Sequence, residues 1–281
     1  MLSYRHLYHA GNFADVVKHV VLVALLEAIT RKPTPCYVQD THAGCGAYAL
    51  DSHEAQQGKE HQDGIGRIWQ IQEAPQVIHR YLEIVREWNA GLPEPRYYPG
   101  SPAIAQSLLR KSDRLVLTEL HPQDHDALVN QFQDDKRIRI HKQDAYQGLK
   151  AFLPPPEKRG LVLIDPPFER KDEYDRVVAG LQTGYSRWSH GIYAIWYPIM
   201  SRGLQTRFLE ACVATGIRKI LHCEFLIAPF SSDKRFVGCG MLIVNPPWQI
   251  DTTLEICLQW LQVPLRQAND VQVRVDWLVP E

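Results

Sequence analysis

An α/β fold built on an open, mostly parallel sheet is what this sequence predicts, and three observations carry the prediction. The run Leu161-Val162-Leu163-Ile164 is continuously apolar, the mark of a strand buried on both faces. Four strand-like segments end in order on acids, at Asp40, Glu119, Asp144 and Asp165, at the sheet edge where open α/β folds hold ligands. Segments with helical apolar spacing alternate with the strands, as parallel connections require.

The elements follow in chain order. Asp15 to Lys32 reads as a helix: Asp15 can cap it, Val16, Val20, Val23 and Leu26–Ile29 form a broad apolar face, and Pro33 stops it. Cys36 to Asp40 is a strand, followed by the glycine-rich loop Thr41-His42-Ala43-Gly44-Cys45-Gly46. From about 52 to 96 the strand–helix rhythm breaks. This stretch is polar over 53–66, then carries Val77, Tyr81, Ile84, Val85 and Trp88 at helix spacing, and Gly91-Leu92-Pro93-Glu94-Pro95 closes it. It reads as a helical insertion within one domain covering 1–281. Ser101 is the expected N-cap of the next helix, with Pro102 at its first position. Strands follow at Leu115–Glu119, Ile138–Asp144, Leu161–Ile164 and Gly191–Tyr197, and a closing pair at Arg218–Ile227 and Phe236–Val244 contains one antiparallel member. The expected total is seven strands.

Asp165-Pro166-Pro167-Phe168 is the stretch richest in chemistry. The prolines have no N–H, so the turn is stiff and its carbonyls are free acceptors. A carboxylate, a carbonyl and a flat ring suit an exocyclic amine on a planar base. The competing interpretation is an ordinary strand-to-loop turn with Pro-Pro as a stop. After the first strand, Gly44 and Gly46 allow close approach of backbone to a ligand, but the third glycine of a dinucleotide fingerprint is missing. Asp40 and His42 stand where a pyrophosphate loop avoids negative charge, so the loop suits a nucleoside-like cofactor such as S-adenosylmethionine better than NAD. Glu119 is positioned to accept both ribose hydroxyls, and Asp144 an adenine amino group. Each acid could instead be a strand-end turn residue or a helix N-cap. Asn245-Pro246-Pro247-Trp248 rivals the first tetrapeptide, but the end of an antiparallel strand lies on the opposite sheet edge, so it is expected to be a structural turn packing Trp248. His6 and His9 have no acid or cysteine at ligand spacing, and no metal site is expected.

These residues carry a resemblance. Met1-Leu2-Ser3-Tyr4-Arg5-His6, His9-Ala10-Gly11-Asn12-Phe13-Ala14-Asp15-Val16-Val17-Lys18-His19, Asp40-Thr41-His42-Ala43-Gly44, Tyr98-Pro99-Gly100-Ser101-Pro102, Asp165-Pro166-Pro167-Phe168 and Asn245-Pro246-Pro247-Trp248 are similar to motifs of the bacterial 23S ribosomal RNA adenine-N6 methyltransferases typified by RlmJ. Phe168 stands where many relatives carry Tyr, which keeps a stacking ring and loses a hydroxyl. The resemblance spans essentially the whole chain. It implies a class I (Rossmann-like) S-adenosylmethionine-dependent methyltransferase fold. It further implies catalysis by Asp165, Pro166 and Phe168, and a cofactor held by His19, Asp40, His42, Gly44, Ser101, Glu119, Asp144, Ala145 and Asp165. Tyr4, Arg5, His6, Lys18 and Phe168 would meet the RNA, with Tyr4 next to the base in an N-terminal segment that closes over the cofactor.

Composition agrees with this. A net charge of −1 requires any RNA affinity to come from a local patch. Six cysteines without a C-x-x-C pair point to a reducing compartment with buried thiols. No signal peptide and no apolar run of spanning length are found, and the expectation is a cytoplasmic monomer. The substrate is expected to be an adenine presented single-stranded or flipped out. A DNA adenine-N6 methyltransferase, a glutamine-amide methyltransferase (which more typically carries Asn at position 165) and a non-catalytic RNA-binding protein on a retained fold are the alternatives.

Overall fold

The computed structural model describes residues 5–230, 236–269 and 271–281. Helix α1 (Phe13–Thr30) begins two residues before the expected start, because Asn12 and not Asp15 caps it: the Asn12 side chain accepts the Asp15 N–H at 3.0 Å. The Asp15 carboxylate is thereby released for other contacts. The helix is apolar on nearly every face, with Phe13 to Leu26 buried throughout, as expected for a helix enclosed on all sides. It packs against later helices and lies under the sheet.

Strand β1 (Tyr37–Asp40) follows, then β2 (Ala47–Ala49), α2 (His53–Gly58), a 3₁₀ turn (Glu60–Asp63), α3 (Ile65–Ile68), α4 (Gln76–Glu87) and β3 (Tyr97–Pro99). Tyr48 pairs with Tyr98 as β2 and β3 run antiparallel, so a two-stranded clasp closes both ends of the helical stretch. The remaining elements are α5 (Ser101–Leu108), β4 (Arg114–Thr118), α6 (Pro122–Phe132), β5 (Ile138–His141), α7 (Ala145–Phe152), β6 (Gly160–Ile164), α8 (Glu173–Arg187), β7 (Ile192–Ile199), α9 (Arg202–Ala214), β8 (Ile220–Leu226), β9 (Gly238–Val244), α10 (Ile250–Leu265) and β10 (Val273–Val279). Among the described residues, no helix is long and apolar enough to cross a membrane.

The main sheet has the order β10-β8-β9-β7-β6-β1-β4-β5. Strands β5, β4, β1, β6 and β7 are mutually parallel, and β9 runs antiparallel between β7 and β8. This is the class I methyltransferase arrangement with eight strands in place of the expected seven. The extra strand, β10, alternates Val273, Val275, Trp277 and Val279, a period-two signal that was present in the sequence. One apolar cluster joins α1, α4, α5 and α10 on one sheet face, and another joins α7, α8 and α9 on the other.

Three local expectations change. β5 ends at His141, and Asp144 is the N-cap of α7, its Oδ1 accepting the Tyr146 and Gln147 N–H groups. α5 is capped by Gly100 without a side-chain bond, so Ser101 is its first helical residue and its hydroxyl is not spent on capping. The Asn245 loop does lie at the opposite edge, bonded to Lys219 of the β8 approach and to Ser189 and Gly191 ahead of β7. Trp248, however, is 87% exposed and is not part of the core. Left-handed Asn245 and Gln249 turn the loop outward, and Ile250 takes the buried position instead.

Gly64 abuts the segment leading into α1: an added Cβ would overlap the Gly11 carbonyl and the Asn12 backbone, next to the 2.8 Å bond from Ile65 N–H to the Gly11 carbonyl. Backbone against backbone cannot yield as a side-chain tip can. Gly64→Ala should therefore lower unfolding free energy by roughly 2 kcal/mol or more in denaturant titration, whereas Gly203→Ala, with open space around its site, should change it little.

Candidate active site

The carboxyl ends of β1, β4, β6 and β7 and the first turns of α1, α5 and α7 converge on one cavity of about 440 Å³. It is lined by His6, Lys18, His19, His42, Gly44, Ser101, Glu119, Asp144, Ala145, Asp165, Pro166 and Phe168, so most of the residues singled out in sequence meet in space. Asp40 lies buried behind the lining, and Arg5 is outside it. Tyr4 falls outside the described residues.

On the floor, Lys18 Nζ lies 2.8 Å from Asp15 Oδ1 and 2.6 Å from Asp165 Oδ2. Asp15 Oδ2 also meets His6 Nε2 at 2.8 Å and accepts the Gly11 N–H at 2.9 Å. Burial opposes both charges, but the ion pairs win. The carboxylates hold the Lys18 ammonium above its ordinary range, and His6 and Lys18 hold Asp15 well below its own. The N-terminal segment is anchored at a second point, where His9 and Asn12 both bond the Glu60 carboxylate at 2.9 Å.

The glycine loop wraps from β1 onto β4. The Thr118 hydroxyl donates to the Thr41 carbonyl, Ala43 N–H to the Thr118 carbonyl, and Gly44 N–H to Glu119 Oε2 at 2.8 Å. The other Glu119 oxygen accepts the His121 N–H at 2.7 Å, so both oxygens are aimed and each retains acceptor capacity. Burial raises the Glu119 pKa and pushes Asp40 up to about 6. Burial also drives His19 down to about 3 and His42 to about 4, so both rings are neutral. Asp144 is doubly used, capping α7 and pairing with Arg176 at 3.1 Å.

Opposite the loop, Phe168 occupies the left-handed region at φ +50, a strained conformation for an aromatic residue. Its half-buried ring packs on Tyr174 at 4.8 Å and edge-on to Trp196 at 5.9 Å. Trp196, Pro198, Met200 and Phe236 complete this wall. Trp196 and Phe236 were read in sequence only as strand residues, and Pro198 and Met200 lie beyond the strand reading, which ended at Tyr197. The sheet order alone brings the end of β7 beside that of β6. Tyr98 and Tyr81, which bond beneath His19, were seen only as motif and helix-face residues.

A family model described as "Ribosomal RNA large subunit methyltransferase D, RlmJ" matches residues 33–279. Two relatives named "Ribosomal RNA large subunit methyltransferase J" align over all 281 residues, covering the whole of both chains. The one from Haemophilus influenzae is 45% identical and the one from Escherichia coli 46% identical. A crystal structure of protein LPL1258 from Legionella pneumophila, 33% identical, superposes with a TM-score of 0.88 over 96% of this chain and 98% of that one.

Neutral buried His19 sets a pH dependence. Its folded pKa, about 3, lies below the unfolded value of about 6.5. Stability is therefore unaffected above pH 6.5 and is lost as pH falls toward 3, because the unfolded chain takes up the proton first. By pH 5 the loss is about 2 kcal/mol. His19→Gln should lose correspondingly less stability than the native protein between pH 7 and pH 5 in denaturant titrations. Parallel losses would show that this ring is charged in the folded state.

Proposed function

The chain belongs to the RlmJ family of large-subunit ribosomal RNA methyltransferases, and on that footing we propose that it methylates the N6 amine of one adenine in 23S rRNA, using S-adenosylmethionine. The observation that carries the reading is Asp165-Pro166-Pro167-Phe168 at the carboxyl end of β6, opening into the same cavity as Glu119 and the Gly44 loop. Family membership favours ribosomal RNA over DNA. The same reading has the protein act as a cytoplasmic monomer on an adenine that is single-stranded or flipped out of its stack.

The residues fit the cofactor. The cavity is of nucleoside-ligand size, Glu119 is an aimed acceptor beside a glycine turn, and His19 Nε2 is a buried polar atom without a partner among the described residues. Glu119 would accept from the ribose hydroxyls. Asp144 and Ala145, at the start of α7, would border the adenine ring, with His42 packed edge-on to Tyr146 as a wall. His19, Ser101 and Gly44 would surround the amino-acid end, with buried Asp40 supporting the loop through the His42 N–H. Bound there, the group supplies an electrophilic methyl on a sulfonium.

The work of the protein is to hold a poor nucleophile. An adenine N6 lone pair is delocalised into the ring, so positioning in a near-attack geometry is where much of the rate can come from. Lys18 occupies Asp165 Oδ2 and so orients the carboxylate, whose other oxygen has no bond among the described residues. That oxygen and the Pro166 carbonyl would accept the two N6 hydrogens, favouring the pyramidal amine and stabilising its developing positive charge. Phe168 would stack on the base, backed by Tyr174 and Trp196. Asp165 would take the proton that transfer makes acidic. Arg5, His6 and Tyr4, ahead of α1, belong in this reading to the lip over the base.

Asp165→Ala should reduce methyl transfer to 23S rRNA by at least about a hundredfold, while S-adenosylhomocysteine affinity by calorimetry stays within a few fold. Near-normal turnover would sink the catalytic assignment. Glu119→Ala should weaken cofactor binding by roughly 1.5–3 kcal/mol in the same calorimeter. Unchanged affinity would move the ribose contact elsewhere.

A further inference from the structure

His19 is held from behind by a chain of two tyrosines. Its Nδ1 lies 2.7 Å from the Tyr98 hydroxyl, and that hydroxyl lies 2.9 Å from the Tyr81 hydroxyl. The rings of His19 and Tyr98 are stacked, with centroids 5.5 Å apart. All three residues are buried, and His19 Nε2, on the cavity side of this chain, has no partner among the described residues.

Two polarities keep the Tyr98 hydrogen within the chain, and a third, in which Tyr98 accepts from both neighbours, strands that hydrogen in the core, where Tyr98 is 0% exposed. In one of the two, Tyr81 O–H donates to Tyr98 and Tyr98 O–H donates to His19 Nδ1, so the single proton of the neutral ring sits on Nε2. In the other, Nδ1–H donates to Tyr98 and Tyr98 O–H donates to Tyr81, which leaves the Tyr81 hydrogen to be donated elsewhere. Tyr81 is 0% exposed and has no second hydrogen-bond partner among the described residues. Stranding its hydrogen in the core would cost about 1–3 kcal/mol. The first polarity leaves only Nε2–H unmet within the chain, and His19 lines the cavity, where a ligand or water can accept that hydrogen, whereas Tyr81 is enclosed in the core.

We propose that Tyr98 and Tyr81 are positioning residues that lock His19 in the Nε2–H tautomer, so that it donates to the carboxylate at the amino-acid end of the cofactor. The α5 N-terminus, where Gly100 makes no side-chain cap, lies at Ser101 on the same cavity, and a helix start favours an anion. The helical stretch between β2 and β3 thereby acquires a part in the site: Tyr81 of α4 fixes the direction of a hydrogen bond it does not itself make. The assignment of the carboxylate rests on the cofactor reading above, whereas the tautomer does not.

Two measurements separate these. Long-range ¹H–¹⁵N spectra of the ligand-free protein with labelled histidines, His19 being identified by loss of its signals in His19→Gln, should show Nε2 protonated and Nδ1 bare. The reverse pattern would overturn the tyrosine lock. Calorimetry should then compare S-adenosylhomocysteine with methylthioadenosine, which lacks the amino-acid carboxylate. Tyr98→Phe should weaken the first about tenfold and leave the second within twofold, and Tyr81→Phe should shift the first in the same direction by less. Equal weakening of both ligands, or of neither, would overturn the positioning role. Native protein that binds neither nucleoside would overturn the cofactor reading, and the carboxylate assignment with it.

Discussion

Lys18, buried between Asp15 and Asp165, is the interaction on which the rest of the site depends. Isolated charges are not tolerated in a protein interior, and a buried ion pair that loses one partner costs more than the pair ever contributed. The ammonium therefore ties the second turn of α1 to the end of β6, 147 residues later in the chain. That bond sets where α1 lies beneath the sheet edge and which way the Asp165 carboxylate faces. The cap at Asn12 is part of the same constraint. It lets Asp15 sit inside the first turn, where its two oxygens can serve Lys18 on one side and His6 with the Gly11 N–H on the other.

Around this ion cluster the fold arranges polar atoms in advance of any ligand. Glu119 is held by two backbone N–H groups, Asp144 by two more and by Arg176, and His19 by Tyr98. Few of these groups need to move to present an acceptor or donor to the cavity, which is how a site avoids reorganisation at the moment of reaction. The strained Phe168 belongs to the same economy of motion. Its left-handed backbone persists because Tyr174 and Trp196 fix the ring from two sides.

The helical stretch between β2 and β3 supports this arrangement from beneath. Glu60 pins His9 and Asn12, Gly64 and Ile65 close against Gly11, and Tyr81 bonds Tyr98. Each contact reaches either the segment before α1 or the residues under His19. A segment that interrupts the strand–helix rhythm in sequence thus acts in space as a brace for the N-terminal turn, with the β2–β3 clasp holding its two ends together.

By itself, the sequence determined the elements and the chemistry they carry. Apolar runs closing on Asp40, Glu119 and Asp165 are local signals, since burial on both faces demands them and the parallel topology puts their ends on one edge. The motifs from His9 to His19 and from Tyr98 to Pro102 were legible for the same reason: each is contiguous in the chain. Pairings between distant segments were not legible. Asn12 rather than Asp15 as a cap, Asp144 paired with Arg176, the end of β7 as a wall of the cavity, and Tyr81 behind His19 all depend on strand order and helix docking. Exposed Trp248 marks the same boundary from the other side. Its Asn-Pro-Pro-aromatic pattern matches that of Asp165 in sequence, and the antiparallel reading of β9 already put it on the opposite edge of the sheet, but only the tertiary structure decides that its ring meets solvent there.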